Sequence, residues 1–393
     1  MNYNFSDRVK DLKGNAIREI FKLLAQPGVI SFAGGLPASS MLPVKEIETL
    51  SAKVLREDGV AVTQYGATEG YLPLRQTLTK YVERVGINGC EIDDTLIISG
   101  GQQGIDLMFK CFLNKGDVLL VQNPTYLAAL HIAKTYEAKA VGVKASADGL
   151  DLNDLEDKIQ KLKPKLLYLV PNFSNPSGKT LTVETRKKTV EICAKYSVVI
   201  VEDDPYRELR YDGKPLPSLK SFDKSGTVVY ICSFSKTISP ALRVGVAVGD
   251  KELIRKLTVG KQATDVHTSI LSQAIVNKFI EGGYLEKQIE KALPVYKEKK
   301  DEMLAAIARE MPKYFKYTKP EGGLFIWGEF ENGLNAAELF SKAVENKVAY
   351  VSGVDFYADG VSGANNIRLN FSNATKEQIN VGIEKLGKLF SGQ

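Results

Sequence analysis

The sequence predicts an α/β protein with a mostly parallel sheet covered by helices, followed by a smaller α+β region. Between residues 95 and 260, six short apolar runs alternate with segments of helical period. The runs are continuously apolar, as is typical of parallel strands buried on both faces. After about residue 270 the pattern changes to long charged helices. At 393 residues, the chain is also long enough for two domains.

The individual elements follow from apolar spacing. The predicted strands are residues 96–98, 118–121, 141–143, 166–170, 198–201 and 228–231. Ile105, Met108, Phe109 and Phe112 fall on one face of a helix between the first two strands. Residues 284–309 form the longest predicted helix, and 322–327 read as a later strand.

The N-terminal region holds one further helix signal. Ile17, Ile20, Phe21 and Leu24 are spaced i, i+3, i+4, i+7, and Pro27 ends the run. We expect residues 1–45 to form an arm and helix that pack with the small domain. Residues 46–285 are then the large domain, and 286–393 the small C-terminal domain.

Composition and charge exclude several classes of function. The 52 basic residues are nearly balanced by 47 acidic ones and form no basic block, so nucleic acid is not an expected partner. The N-terminus has no apolar signal-peptide core, and no run of about 18 apolar residues predicts a membrane span. Four separated cysteines and two histidines predict neither a metal site nor disulfides, which fits a cytoplasmic location.

Chemically versatile residues follow the predicted strands. In open α/β sheets, ligands bind beyond the carboxyl ends of the strands. Taken alone, each residue has an ordinary structural explanation, such as a tight turn, a packed ring, a capping carboxylate or a surface lysine. The residues after five strands are Gly101 and Gln102; Tyr126; Asn175; Asp203 and Tyr206; and Ser233, Ser235, Lys236 and Arg243.

Together these residues match the needs of a phosphorylated aromatic aldehyde. A Gly-containing turn that opens a helix is an anion site. A lysine amine forms a Schiff base with a carbonyl, and a carboxylate keeps a pyridine nitrogen protonated. The protonated ring can accept electrons from a breaking bond. The cofactor that fits is pyridoxal 5′-phosphate.

Residues 231–245, ICSFSKTISPALRVG, resemble the lysine motif of the class I/II aminotransferases, which are fold-type I pyridoxal phosphate enzymes. Residues 31–37, 64–66, 69–71, 175–178, 203–206 and 366–370 are similar to further motifs in the family's order. SFAGGLP, VEDDPYREL and KQATDVHT resemble the 2-aminoadipate (LysN-type) and kynurenine/aminoadipate group. The resemblance implies a seven-stranded, mostly parallel sheet in the large domain.

The resemblance also implies roles for the cofactor residues. Lys236 would form the Schiff base and carry the proton between the substrate carbon and the cofactor. Asp203 would pair with the ring nitrogen, and Tyr126 would stack on the ring. Asn175 and Tyr206 would hydrogen-bond the phenolic oxygen. The phosphate would be held by Ser233, Ser235, Arg243, Gly101 and Gln102.

Substrate contacts and assembly are implied in the same way. Arg368 would bind the substrate α-carboxylate as a bidentate pair, and Gly35 would lie beside the substrate. Tyr65 would reach the site of a neighbouring subunit, which makes the protein a homodimer. Asn175 and Tyr65 would also contact substrate.

Two features depart from the family's pattern. Gly101 stands where relatives often have Ser or Thr in the phosphate turn, so a hydroxyl contact is lost. Aminoadipate enzymes place a serine and an arginine near the distal end of the substrate, but this chain has Asn15 and Arg18. Asn15 is more simply read as the cap of the Ile17 helix. Arg18 can be a solvated residue or a ligand of a distal carboxylate.

The predicted activity is a ping-pong transamination from an amino acid to a 2-oxo acid, with 2-oxoglutarate as the expected acceptor. The donor would be 2-aminoadipate or an aromatic, branched or other apolar amino acid. A β-lyase or decarboxylase on the same scaffold is an alternative. A ligand-sensing domain of a transcription regulator is another, although the sequence leaves no room for an N-terminal DNA-binding region.

Overall fold

The computed structural model describes residues 3–10, 12 and 28–392. The predicted helix at Ile17–Leu24, together with Asn15 and Arg18, lies outside the described residues. Before the large domain come a short helix α1 (Asp7–Lys10) and a two-residue strand β1 (Ile30–Ser31).

A seven-stranded sheet forms the centre of the molecule. Its strands in chain order are β2 (Thr95–Ile98), β3 (Val118–Asn123), β4 (Lys139–Lys144), β5 (Leu166–Leu169), β6 (Val199–Asp203), β7 (Val228–Ser233) and β8 (Gly245–Val248). Their order across the sheet is β2-β8-β7-β6-β5-β3-β4. β8 runs in the opposite direction to the other six strands of this sheet. The predicted mostly parallel sheet is therefore confirmed.

Both faces of this sheet are buried, which explains the continuously apolar strands. Adjacent residues of a strand point to opposite faces. Ile98 and Ile231 belong to one buried cluster, whereas Ile97 and Tyr230 belong to another on the opposite side. A strand with a single wet face would instead alternate apolar and polar residues.

Helices supply the two covering layers and most of the small domain. The remaining helices are α2 (Val44–Thr63), α3 (Leu72–Tyr81), α4 (Gly101–Phe112), α5 (Leu127–Thr135), α6 (Leu152–Leu162), α7 (Val183–Lys195), α8 (Lys251–Asp265), α9 (Ile270–Glu281), α10 (Tyr284–Glu310), α11 (Phe340–Glu345) and α12 (Lys376–Ser391). The long helix predicted at 284–309 is α10. No helix in the described ranges is long and apolar enough to cross a membrane.

The C-terminal region carries a second, antiparallel sheet in the order β12-β13-β10-β9. Its strands are β9 (Phe315–Tyr317), β10 (Phe325–Phe330), β12 (Val351–Ser352) and β13 (Asn366–Asn370). A further strand, β11 (Val348–Ala349), pairs in parallel with β1. Residues 30 and 31, near the start of the described range 28–392, are therefore joined to the C-terminal region. The domain boundaries at residues 45 and 285 remain a prediction.

Every predicted strand differs from the observed strand by one to three residues at one or both ends. The strand predicted at 322–327 begins only at Phe325, because Gly323 has a φ of 74° and turns the chain. β6 and β7 each run two residues further than predicted. Asp203 pairs with Ile231, and Ser233 pairs with Gly245. Asp203 and Ser233 therefore sit on the rigid ladder rather than in the turns that follow it.

Candidate active site

The carboxyl ends of β2, β3, β5, β6 and β7 meet at one edge of the large sheet, as the parallel pairing requires. A cavity of about 140 Å³ lies there. It is lined by all but one of the residues predicted to bind the cofactor: Gly101, Gln102, Tyr126, Asn175, Asp203, Tyr206, Ser233, Ser235, Lys236 and Arg243. The exception is Tyr65.

Lys236 follows β7 and projects its amine into this cavity. Its Nζ donates a hydrogen bond of 2.6 Å to the carbonyl oxygen of Gly35. Burial, with a smaller contribution from the positive charges of Arg368 and Arg243, lowers the pKa of Lys236 to about 8. A neutral, nucleophilic amine is therefore accessible near neutral pH.

One corner of the cavity is built to receive an anion. Ser233 Oγ and Ser235 Oγ are 3.0 Å apart, and Arg243 Nη1 lies 3.4 Å from Ser235 Oγ. α4 begins beside them at Gly101, so its free N–H groups and dipole add positive potential. Hydroxyls, a guanidinium and a helix N-terminus are the donors that a phosphate group requires.

Glycine is needed at the entrance to α4. Gly100 has a φ of 83°, in the left-handed region that glycine tolerates best. A Cβ added at Gly100 would lie 2.5 Å from Arg243 Nη2. The guanidinium therefore packs against bare backbone. At Gly101, in contrast, an added Cβ would make an ordinary contact of 3.4 Å with Asp203 Oδ1.

Asp203 is a buried carboxylate at the end of β6. Burial raises the pKa of Asp203 to about 7, although the hydrogen bond from Tyr168 opposes the rise. The Tyr168 hydroxyl donates this bond to Asp203 Oδ2 at 2.7 Å. Tyr168 was missed by the sequence analysis, and its only signal is a phenol within an otherwise aliphatic strand. The pair fixes one carboxylate oxygen.

Arg368, on β13 of the small sheet, contacts Asn175, which lines this cavity. Its Nη1 donates to Asn175 Oδ1 at 2.9 Å, and its Nη2 donates to the Ala33 carbonyl oxygen. Its Nε is buried and has no hydrogen-bond partner among the described residues. The guanidinium carbon lies 4.4 Å from the centre of the Phe325 ring. Burial lowers the pKa of Arg368 to about 10, so the side chain remains a cation at neutral pH.

A second cavity of about 160 Å³ adjoins the first. It shares Tyr126, Asn175, Tyr206 and Lys236 with the first cavity. Its other lining residues are Ala33, Gly34, Gly35, Leu36, Leu127 and Arg368. A Cβ added at Gly35 would be 3.2 Å from Phe325 Cζ, closer than such contacts normally are. A mostly apolar space therefore lies between the amine and the guanidinium.

Tyr65 lies away from both cavities of its own chain. Its side chain is 82% exposed, and its ring packs edge-on against His267 with 5.8 Å between centroids. Asn15 and Arg18 are outside the described residues, so the structure leaves their predicted contacts untested.

Comparison with known proteins identifies the class to which this fold and site belong. The sequence profile of the family "Aminotransferase class I and II" matches residues 33–386. The chain therefore belongs to this family. It is an aminotransferase, and its cofactor is pyridoxal phosphate.

Individual relatives extend over almost the whole chain. The aromatic-amino-acid aminotransferase 1 of Thermococcus litoralis is 40% identical over 98% of this chain and 93% of its own. A kynurenine aminotransferase of Pyrococcus horikoshii, solved with pyridoxamine phosphate (PMP) and kynurenine, superposes with a TM-score of 0.94 at 38% identity. The match covers 99% of this chain and 97% of that one.

LysN, the α-aminoadipate aminotransferase of Thermus thermophilus, superposes with a TM-score of 0.92 at 37% identity. It was solved with N-(5′-phosphopyridoxyl)-L-leucine, and the match covers 99% of this chain and 97% of that one.

Proposed function

We propose that this enzyme transfers the amino group of an L-amino acid with an aromatic, 2-aminoadipate-like or branched apolar side chain to 2-oxoglutarate, by a ping-pong mechanism. One observation carries the proposal. The amine of Lys236 and the guanidinium of Arg368 line a single small cavity whose other walls include Leu36 and Leu127. That combination suits a substrate with an α-carboxylate and an apolar side chain.

The strand-end residues would hold pyridoxal phosphate. Ser233, Ser235 and Arg243 would bind the phosphate, together with backbone N–H groups at Gly101 and Gln102. When bound, the cofactor supplies an aldehyde and a ring that accepts electrons from the substrate. Asp203 would face the ring nitrogen and favour its protonated form. Tyr126 would stack on the ring, and Asn175 and Tyr206 would bond its phenolic oxygen.

Lys236 would move the substrate proton. A general base works best when its pKa lies near the working pH, and burial brings the pKa of Lys236 to about 8. The amine would take the proton from the substrate α-carbon. It would then deliver that proton to the cofactor as the amino group is transferred. Its present hydrogen bond to the Gly35 carbonyl supports an orientation toward the substrate space.

Arg368 would orient the substrate through its carboxylate. A guanidinium binds a carboxylate through two parallel hydrogen bonds. The Arg368 guanidinium lies over the Phe325 ring and donates a hydrogen bond to Asn175. These contacts support a fixed orientation of the guanidinium before substrate arrives. The buried, unpartnered Nε leaves a donor that a bound carboxylate can satisfy.

The side-chain preference is supported by the apolar lining and by relatives named for aromatic amino acids, kynurenine and α-aminoadipate. Among the described residues that line the second cavity, the cations are Lys236 and Arg368. A distal carboxylate would therefore need another partner, for which Arg18 is our candidate.

We further propose a homodimer in which Tyr65 reaches the partner's phosphate site. Tyr65 is largely exposed, and apolar side chains near it in sequence are exposed as well. Val60 is 87% exposed, and Leu72 is 51% exposed. Large apolar side chains exposed within one segment of chain support a surface that another chain covers.

Steady-state kinetics with a panel of amino donors and 2-oxoglutarate tests the proposed function. We expect the highest kcat/KM for aromatic or large apolar donors, with glutamate as a product. Formation of pyruvate and ammonia from cysteine-type substrates, without glutamate, would instead establish a β-lyase. Arg18→Ala should lower kcat/KM for 2-aminoadipate far more than for phenylalanine. Equal effects on the two donors would eliminate Arg18 as the distal ligand.

A further inference from the structure

Lys261, in α8, is a buried cation that the proposed chemistry does not use. Its side chain is fully buried. Its Nζ lies 2.9 Å from both carboxylate oxygens of Asp265, 2.7 Å from Gln103 Oε1 and 3.0 Å from Thr268 Oγ1. A charge with so many fixed partners holds several segments of chain in one arrangement.

One of these partners, Gln103, belongs to the turn that opens α4, and another, Asp265, forms hydrogen bonds with that turn. Gln103 Oε1 accepts a second hydrogen bond of 2.7 Å from the Ser99 backbone N–H. Asp265 Oδ2 accepts from Gln103 Nε2 at 2.7 Å and from Ser99 Oγ at 3.0 Å. The turn of residues 99–103 is therefore fixed at both ends by the Lys261–Asp265 pair.

That turn also positions the phosphate-binding groups. Arg243 Nη2 donates to the Ser99 carbonyl oxygen at 2.9 Å and packs against Gly100. Gly101 and Gln102, whose N–H groups begin α4, lie between the two fixed ends. A shift of Ser99 or Gln103 would consequently move both the guanidinium and the helix N-terminus.

On its other side the pair constrains a strained linker between α8 and α9. Val266 has φ 64° and ψ −59°, which is a costly conformation for a β-branched residue. The His267 N–H closes this turn onto the Asp265 carbonyl at 2.7 Å. Thr268 Oγ1 contacts both Lys261 and Ser99 Oγ, so both sides of the strained residue are fixed. His267 then packs against Tyr65.

We propose that Lys261 is a positioning residue for the cofactor phosphate. It neutralises Asp265 and fixes the 99–103 turn, so that Arg243 and the N-terminus of α4 face the phosphate together. Without the Lys261 charge, the Asp265 carboxylate would lie uncompensated behind a turn that must bind a dianion. Loss of the neutralising charge and loss of the fixed turn would each weaken phosphate binding. Both would leave the contacts with the pyridine ring unchanged. The inference rests on the proposed phosphate site.

The test compares two ligands that differ only in the phosphate. Apoenzyme prepared from each holoenzyme is titrated with pyridoxal phosphate and with pyridoxal, and both Kd values are measured by absorbance. Lys261→Met should raise the Kd for pyridoxal phosphate at least tenfold and change the Kd for pyridoxal less than twofold. Gln103→Leu keeps the ion pair and its bond to Ser99 Oγ, and removes only the link through Gln103 to the Ser99 N–H. It should therefore give a smaller change with the same selectivity.

Lys300→Met is the matched control. Lys300 is also a buried lysine, and its Nζ lies 2.8 Å from Asp212 Oδ2, in a pair that makes no contact with the 99–103 turn. Its loss should leave the ratio of the two Kd values as in the wild type. This control separates a local effect on the phosphate from general destabilisation by a lost buried charge.

The outcomes are distinct. If Lys261→Met and Gln103→Leu keep the wild-type ratio, or weaken both ligands equally, Lys261 has no positioning role and the inference is wrong. The same holds if Lys300→Met shifts the ratio as much as Lys261→Met. Arg243→Leu must itself lose the preference for the phosphorylated ligand. If it does not, the proposed phosphate site fails as well, whereas a failure confined to the Lys261 and Gln103 variants overturns this inference alone.

Discussion

Burial prepares the Lys236 amine for reaction with an aldehyde. Only the neutral amine is nucleophilic, and the pKa of Lys236 is lowered to about 8. The rate at which apoenzyme reacts with pyridoxal phosphate should therefore rise with pH, with a midpoint near 8, and then level off. Stopped-flow absorbance measures this rate. A rate that keeps rising to about pH 10.5, the ordinary range for lysine, would show that the amine is not perturbed.

Asp203 illustrates a residue that costs stability in the empty enzyme and serves the cofactor. Its folded-state pKa is about 7, above the ordinary value of about 3.9. The native state therefore holds an extra proton between these pH values, and this carboxyl destabilises the apoenzyme increasingly as pH rises through that window. Asp203→Asn keeps an acceptor for Tyr168 and removes the buried charge.

We expect apo Asp203→Asn to unfold a few degrees above wild type at pH 8, with a smaller difference at pH 4. The same variant should lose roughly 10²-fold or more in kcat, because no carboxylate would keep the ring nitrogen protonated. Thermal unfolding at both pH values and steady-state kinetics check this. Unchanged activity would contradict the assignment of Asp203, and equal gains in melting temperature at both pH values would contradict the perturbed pKa.

Single residues were predictable where position in the chain determines position in the fold. Asp203 is the last residue of β6, and Lys236 comes three residues after the end of β7. Parallel strands bring residues at their carboxyl ends to one edge of the sheet. Tyr168 and Lys261 were not predictable in the same way. Their roles depend on partners 35 and 158 residues away, Asp203 and Gln103, and an interior strand or helix position carries no local sign of such a contact.

At the scale of elements, the turn between β2 and α4 controls the anion site. Gly100→Ala places a Cβ 2.5 Å from Arg243 Nη2 and forces a positive φ on alanine. We expect at least a tenfold rise in the Kd for pyridoxal phosphate and a loss of roughly 1–3 kcal/mol in the free energy of unfolding. Chemical denaturation and cofactor titration measure the two effects.

Gly116→Ala is the control for that variant. Gly116 also has a φ of 83°, but a Cβ added there would meet no atom within 4 Å. It shares the backbone strain and lacks the clash with Arg243. If both variants weaken the cofactor equally, the close approach of the guanidinium to Gly100 is not what requires glycine.

Most strands could be predicted because their apolar runs are buried on both faces. Their ends were less accurate. β6 and β7 continue through Asp203 and Ser233, polar residues that end an apolar run in sequence but still pair with Ile231 and Gly245. A polar residue can stay in a ladder when its side chain lines a cavity, and the cavity is not visible in the local pattern.

At the scale of the whole molecule, the proposed dimer makes each site depend on two chains. Tyr65→Phe and Lys236→Ala should each reduce activity when both subunits carry the same change. A mixed dimer of the two variants should recover activity at one of its two sites, because one site combines Lys236 with an intact Tyr65 from the partner. Differently tagged subunits, co-expressed and purified through both tags, provide this species.

A mixed dimer with no more activity than the parental variants would mean that Tyr65 serves the site of its own chain. A protein that stays monomeric at catalytic concentrations in sedimentation velocity would contradict the dimer itself.

The central claim is that the residues after separate strands form one receptor that attaches pyridoxal phosphate to Lys236. Borohydride reduction of the holoenzyme followed by peptide mass spectrometry tests it most directly. We predict a single phosphopyridoxyl label on Lys236, and its loss when excess amino donor is added before reduction. A label on any other lysine, or a label that amino donors do not remove, would contradict the claim.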